Sequence, residues 1–255
     1  MALNLTEAQA LLWTQRLIAL ALMQQAGEFL VIRGDFGLGG AWSWRILRQD
    51  FQFFPRPMLA VLDTILGGRW FIGVIALQLI LGATSLAYPR VPVFVGLLLT
   101  HTLICLRWRG TFNGGSDFMT LVVLTALVLA GSFGEGSEVV RLALIYISLH
   151  SIASYCIAGA AKVSSASWRS GQALRYFTAY VPAPQLARLM TGVILLFECS
   201  FPLAVSRPEV CVFYIGLGLC FHIGNAWVLG LNRFILPWGA TYPALLFLSQ
   251  WAPAG

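Results

Sequence analysis

The chain has 255 residues, 58% of them hydrophobic and 10% charged, with a formal net charge of +6 and a mean hydropathy of +0.79. A soluble domain carries roughly 25% charged residues, so this chain has too little polar surface to cover itself in water, and the composition excludes a soluble enzyme or binding module. It points instead to the lipid bilayer as partner, whose tails accept an apolar exterior. The positive charge comes with no nucleic-acid-binding motif; the arginines lie in short loops beside apolar runs, where positive-inside bias and lipid headgroups account for them without nucleic acid.

A spanning helix needs ~20 apolar residues. Taken in chain order, the apolar runs predict about eight spans, at 9–31, 70–88, 91–108, 118–133, 139–161, 188–205, 209–231 and 234–250. The fold class read from them is all-α, a polytopic transmembrane helix bundle forming one integral membrane domain over 1–255. Residues 1–10 lack a basic start and a cleavage site, so the first run is expected to insert and stay. Gln24 and Glu28 share one face of it by i, i+4 spacing. The long connection from Arg33 to Gly68 mixes aromatics with arginines between Trp42 and Phe54, which predicts an interfacial amphipathic helix. A second long connection, Lys162 to Arg188, carries Trp168, Tyr176 and Tyr180. Pro237 and Pro243 interrupt the last run, which reads as a broken or re-entrant segment. Arg107 and most other basic residues fall on the first, third, fifth and seventh connections; only Arg90, Arg141 and Arg207 fall opposite. That bias puts the odd connections in the cytoplasm and the N-terminus outside.

The cysteines, Cys105, Cys156, Cys199, Cys211 and Cys220, all lie in apolar runs without a C-x-x-C pair and read as small buried hydrophobes. Ionisable residues at membrane depth cost ~2.5–3.5 kcal/mol each on insertion scales and default to functional candidates. They are Arg16, Glu28, His101, His150, Lys162, Glu198, His222 and Arg233. Glu198 is mid-span and cannot snorkel, so it is expected to face the bundle with a Gln, His or Arg partner. His101 and His150 read as bridges between helices. With no His-x-x-x-His pattern and no carboxylate at ligand spacing, no metal is expected.

Three motifs end on the same side of the membrane: Arg107 to Asp117, with Asn113 and Asp117 as helix caps; Tyr155-Cys-Ile-Ala-Gly-Ala-Ala-Lys162 followed by Trp168 and Gly171; and His222-Ile-Gly-Asn225 with Phe234 twelve residues after the histidine. Their placement predicts that Lys162, His222 and Asn225 converge on one cavity.

The second and third motifs resemble the membrane portion of vitamin K-dependent gamma-carboxylases and their bacterial relatives, the HTTM (horizontally transferred transmembrane) family. In the carboxylases Tyr-Phe-Ile-Ala-Gly-x-Lys-Lys precedes an acidic stretch and Trp-x-x-Gly; Tyr155, Ile157, Ala158, Gly159, Lys162, Trp168 and Gly171 match. His-x-x-Asn with its later Phe matches His222, Asn225 and Phe234, an acidic residue in the intervening span matches Glu198, and a weaker echo lies around Asn113. The tryptophan is one residue further from the lysine, and Ser164, Ser165 and Ser167 replace the acidic residues. The carboxylases' large extramembrane domain has no counterpart in these 255 residues, so the resemblance implies a shared membrane shell rather than peptide carboxylation. It also implies a bacterial inner membrane location, and it carries over a cytoplasmic N-terminus, opposite to the arginine bias.

The resemblance implies an enzyme acting on an isoprenoid quinone or quinol, with Lys162 as base, His222 as its catalytic partner, and Asn225, Trp168, Glu198 and Asn113 binding substrate. A lysine base works as a neutral amine, which needs an apolar neighbourhood without counter-charge. Ala158, Ala160, Ala161 and Val163 offer none, and the nearest basic residue is Arg169. The alternative is a non-catalytic membrane subunit, a scaffold or peptide-maturation partner in which Lys162 snorkels to phosphates. A transporter would call for internal repeats, and none is evident.

Overall fold

A computed structural model describes residues 4–108, 114–134, 136–178 and 183–251. Every regular element among them is helical, with no strand. The first long helix, α1 (Glu7–Val31), starts at Thr6, whose hydroxyl accepts from the Gln9 amide while the Gln9 side chain answers the Thr6 amide. This reciprocal cap satisfies two backbone donors that a helix start leaves open. Next come α2 (Trp44–Leu47), α3 (Arg56–Leu66), α4 (Gly68–Ala87), α5 (Val91–Arg107), α6 (Gly114–Phe133) and α7 (Glu138–Ser164). The short α8 (Ala166–Arg169) and α9 (Gln172–Phe177) fill the second long connection. The chain then forms α10 (Pro184–Ser200), α11 (Pro208–Leu229), α12 (Ile235–Gly239) and α13 (Tyr242–Ser249). Prolines in the first turns of α3, α5, α10, α11 and α13 fall where no amide hydrogen is needed.

Among the described residues, five helical segments are long and apolar enough to cross a membrane: 68–87, 115–133, 138–164, 184–205 and 208–229. At 1.5 Å per residue each reaches about 28 Å or more, the thickness of a bilayer core. The last predicted span does break, between its two prolines, into α12 and α13. At eight residues α13 is too short to cross, and Tyr242, Ala244, Leu245, Leu246, Phe247 and Ser249 are all buried on it. It packs among α1, α7 and α11.

The Trp42–Phe54 stretch is not one amphipathic helix. It forms α2 and a 3-10 turn at Arg48–Phe51, and Trp44 and Phe51 turn inward while Phe53 stays exposed. Trp44 and Phe51 join a core with Phe29, Phe36, Phe71 and Ile104, and Trp42 packs on Trp108. Arg48 binds both oxygens of Asp63 on α3, and the Trp44 indole donates to the same carboxylate. Within this connection the two-faced helix is α3, with Leu59, Leu62 and Leu66 inside and Met58 and Val61 outside.

Arg107, read above as a loop charge, is fully buried. It donates to the carbonyls of Leu66 and Phe36 at 3.1 Å and lies over the rings of Phe36, Trp44 and Phe71. It therefore fastens the first long connection to the end of α5 and contributes nothing to a charge count by side.

Candidate functional site

Two polar centres lie inside the bundle. The first is built on the inner face of α7, where Ser148, Ser151, Tyr155 and Gly159 are buried and Lys162 follows at the helix end. Gly159 sets the approach of α10: a methyl group there would sit 2.8 Å from Cys199 Sγ and 3.0 Å from Glu198 Cβ. Because glycine has none, α10 closes up, and Lys162 Nζ donates to both oxygens of Glu198 at 2.5 and 2.7 Å. The lysine side chain is 19% exposed and the glutamate 2%. Trp168 of α8 lies 5.3 Å from Nζ, ring face toward the ammonium. Glu198 thus faces the interior with a polar partner, but the partner is lysine rather than Gln, His or Arg. The absence of counter-charge read around Lys162 holds for its own helix only; α10 supplies the carboxylate.

Two turns earlier, ~10 Å along the helix axis, the Tyr155 hydroxyl meets His222 Nε2 of α11 at 2.7 Å and the Tyr242 hydroxyl of α13 at 3.0 Å. Gly218 leaves room for this junction, since a methyl group there would collide with the Tyr242 hydroxyl. His222 is buried against Phe221, Phe234 and Trp238, and its Nδ1 has no hydrogen-bond partner among the described residues. Asn225, one turn on, is half-buried, and no hydrogen bond of its amide occurs among the described residues. Asn113 lies outside the described residues.

The structure therefore brings Lys162, Trp168 and Glu198 together and places His222 in a neighbouring junction with Tyr155 and Tyr242. Two clefts run along α10. One, about 630 Å³, is lined by residues including Ser170, Gln185, Arg188 and Leu196. The other, about 500 Å³, lies between α10 and α11 and includes Phe197, Ser200, Tyr214, Cys220 and Phe221. Neither is lined by Lys162, His222 or Asn225.

The second centre joins α1, α4, α5, α6 and the 3-10 turn before α12. Asp117 of α6 accepts from the Arg233 guanidinium at 2.7 Å and from the Gln25 amide at 3.0 Å. Gln78 donates to Gln25 Oε1, and His101 Nδ1 lies 3.0 Å from the same oxygen. Asp117 is more than the cap expected for it: with Arg233, one of the membrane-depth candidates, it forms a buried ion pair. His101 bridges helices as expected, whereas His150 is exposed and, among the described residues, bonds the Tyr146 carbonyl of its own helix. Glu28 accepts from Gln24, its predicted face-mate, and from Asn232. Sequence reasoning left Tyr155, Tyr242, Gln78 and Gln25 out of any site. The available signal was Gln25 and Gln78, uncharged polar residues inside apolar runs that need a partner there.

Compared with models of known families, with curated proteins and with solved structures, the chain matches none.

Proposed function

We propose that this integral membrane protein is an HTTM-like, non-catalytic subunit of a larger assembly in a bacterial inner membrane. The observation that carries the reading is the engagement of Lys162. Its amine is directed at both oxygens of Glu198 and covered by Trp168. A general base must present its lone pair to a substrate proton within hydrogen-bond reach, and here that reach is taken. In this reading Lys162 and Glu198 tie α7 to α10, and the snorkelling role once open to the lysine is replaced by an internal pair. About eight apolar segments cross or enter the bilayer: the five long ones, α1 and α5 beside them, and α12–α13 as a broken eighth enclosed by the others. The outward faces of α10 and α11, which expose Leu189, Val193, Leu196, Phe213 and Ile223, would meet the membrane or peptide-maturation partner.

The α10–α11 cleft favours a second reading, the quinol-linked enzyme. Its walls are apolar and aromatic, its size suits a lipid-soluble ring, and Phe197 on its wall adjoins Glu198. Lysine-base chemistry would then require the ion pair to open. Extraction in mild detergent, followed by native mass spectrometry and solvent extraction of lipids, separates the two. The expected result is a second polypeptide at fixed stoichiometry; a tightly bound quinone on the chain alone would replace the subunit reading with the enzyme.

A further inference from the structure

We propose that His101, Cys105 and Asp117 form a binding site for a divalent transition-metal cation of the zinc class. One ligand atom from each lies within 4.8 Å of the others. His101 and Cys105 are i, i+4 neighbours on one face of α5, and Asp117 reaches them from the first turn of α6. Zinc-like ions hold such atoms at ~2.0–2.3 Å, so side-chain rotations of about 1 Å would close the three on one ion. Nitrogen, sulfur and oxygen donors together suit zinc or cobalt rather than magnesium or calcium, which take oxygen alone.

Proximity is joined by a second observation, the direction of the histidine lone pair. The Gln78 amide donates to the Leu22 carbonyl at 3.2 Å and to Gln25 Oε1 at 2.9 Å, which fixes Gln25 Oε1 as an acceptor. Gln25 Nε2, correspondingly, donates to Asp117 Oδ1. His101 Nδ1, 3.0 Å from Gln25 Oε1, must therefore carry the proton of a neutral ring. The lone pair is left on Nε2, which accepts from the Cys105 thiol at 3.4 Å and lies 3.2 Å from the Asp117 carbonyl. A lone pair and a carbonyl oxygen at that distance share no proton, and a cation between them relieves the opposition. A doubly protonated ring would instead place a second cation beside Arg233.

The surroundings fit a ligand shell. A metal-bound histidine usually donates its other ring N–H to an oxygen, and a ligating carboxylate is itself hydrogen-bonded. Gln25 does both, and Arg233 adds a bond to Asp117. Both of these bonds fall on Oδ1, which leaves Oδ2 to turn toward an ion. Binding exchanges the thiol proton of Cys105 for the cation: a metal–sulfur bond forms, the S–H bond breaks, and one proton leaves to solvent.

The test uses the full chain in nanodiscs, stripped with a chelator and titrated with Co²⁺. The expected result is a thiolate-to-cobalt absorption band saturating at one ion per chain, lost in Cys105→Ser and kept in Cys220→Ser. No band in the wild type, or a band that survives Cys105→Ser, would overturn the site. Should Cys105→Ser fail to fold, alkylation of the wild type mapped by mass spectrometry decides. Zinc should slow modification of Cys105 at least tenfold and leave Cys220 unchanged; equal rates at Cys105 with and without zinc would also overturn it.

Discussion

The Asp117–Arg233 and Lys162–Glu198 pairs are both acid–base contacts inside the bundle, and they are supported differently. Asp117 and Arg233 sit in a web of uncharged donors and acceptors from three other helices, with Gln25, Gln78 and His101 each fixed by the next. Lys162 and Glu198 have each other and one aromatic face, and the lysine keeps partial access to its surroundings. Removing one member of the first pair disturbs a centre built from five elements; removing one member of the second disturbs one built from three, α7, α8 and α10. Buried charge is tolerated in both, but only the first centre has surplus hydrogen-bonding capacity of the kind a bound ion uses.

Substitutions can sharpen that contrast. Asp117→Ala should be the most damaging, because it strands the Arg233 guanidinium and the Gln25 amide together; a loss of about 4–5 kcal/mol, the upper part of the range for breaking a buried pair, is expected from unfolding in mixed micelles. Lys162→Ala should cost about 3 kcal/mol by the same measurement, since Glu198 is left buried without its cation. Lys162→Arg should stay within about 1 kcal/mol of wild type, because a guanidinium can pair with the same carboxylate, although it cannot serve as a base. Equal losses for Asp117→Ala and Lys162→Ala would erase the distinction between the centres.

Gly159→Ala tests the close approach on which the second pair depends. The added methyl group meets Cys199 and Glu198 at 2.8–3.0 Å, and forcing α10 away should cost about 1–3 kcal/mol. Partial exposure of Lys162 to water-soluble acylating reagents should rise with it. An unchanged melting temperature and unchanged Lys162 labelling would show that the helices have slack there.

Outside the spans, Arg48 and Asp63 provide the smallest and most conditional effect. The Arg48 hydrogen bond holds the Asp63 carboxyl below its ordinary value, with Trp44 adding to it. A depressed folded-state value contributes stability above the unfolded value, near ~3.9, and that contribution is lost as pH falls through the folded value. The pair is solvent-exposed, so its effect is strongly screened. Asp63→Asn should lower the thermal midpoint slightly at pH 7, and the difference should shrink as pH falls below the unfolded value and in high salt.

Much of the helical layout was legible because apolar runs bounded by proline, glycine and arginine declare themselves. Predicted spans 9–31, 91–108 and 209–231 lie within two residues of α1, α5 and α11 at each end. The Trp42–Phe54 stretch was misread because aromatics beside arginines look alike at an interface and in a core; Arg107, 71 residues from Phe36, decides between them. The motifs correctly brought Lys162 and Trp168 together, six residues apart. Glu198 was recognised as interior, but its partner was hidden by 36 intervening residues and by a close approach that depends on Gly159. His101 and Cys105 share a helix face at a legible spacing, yet Asp117 joins them only after the turn between α5 and α6 is known. Pairings within one helix can be read from the chain; pairings across helices depend on which small residue lets two backbones meet.

The claim that Lys162 serves as a fixed partner of Glu198 is tested most directly by a double-mutant cycle. Unfolding free energies of wild type, Lys162→Met, Glu198→Leu and the double variant would be measured in the same micelles. The account predicts strong coupling, about 2 kcal/mol or more, with the double variant less destabilised than the sum of the singles. Additive losses within about 0.5 kcal/mol would mean that the two side chains do not hold each other, and would free Lys162 for the base role.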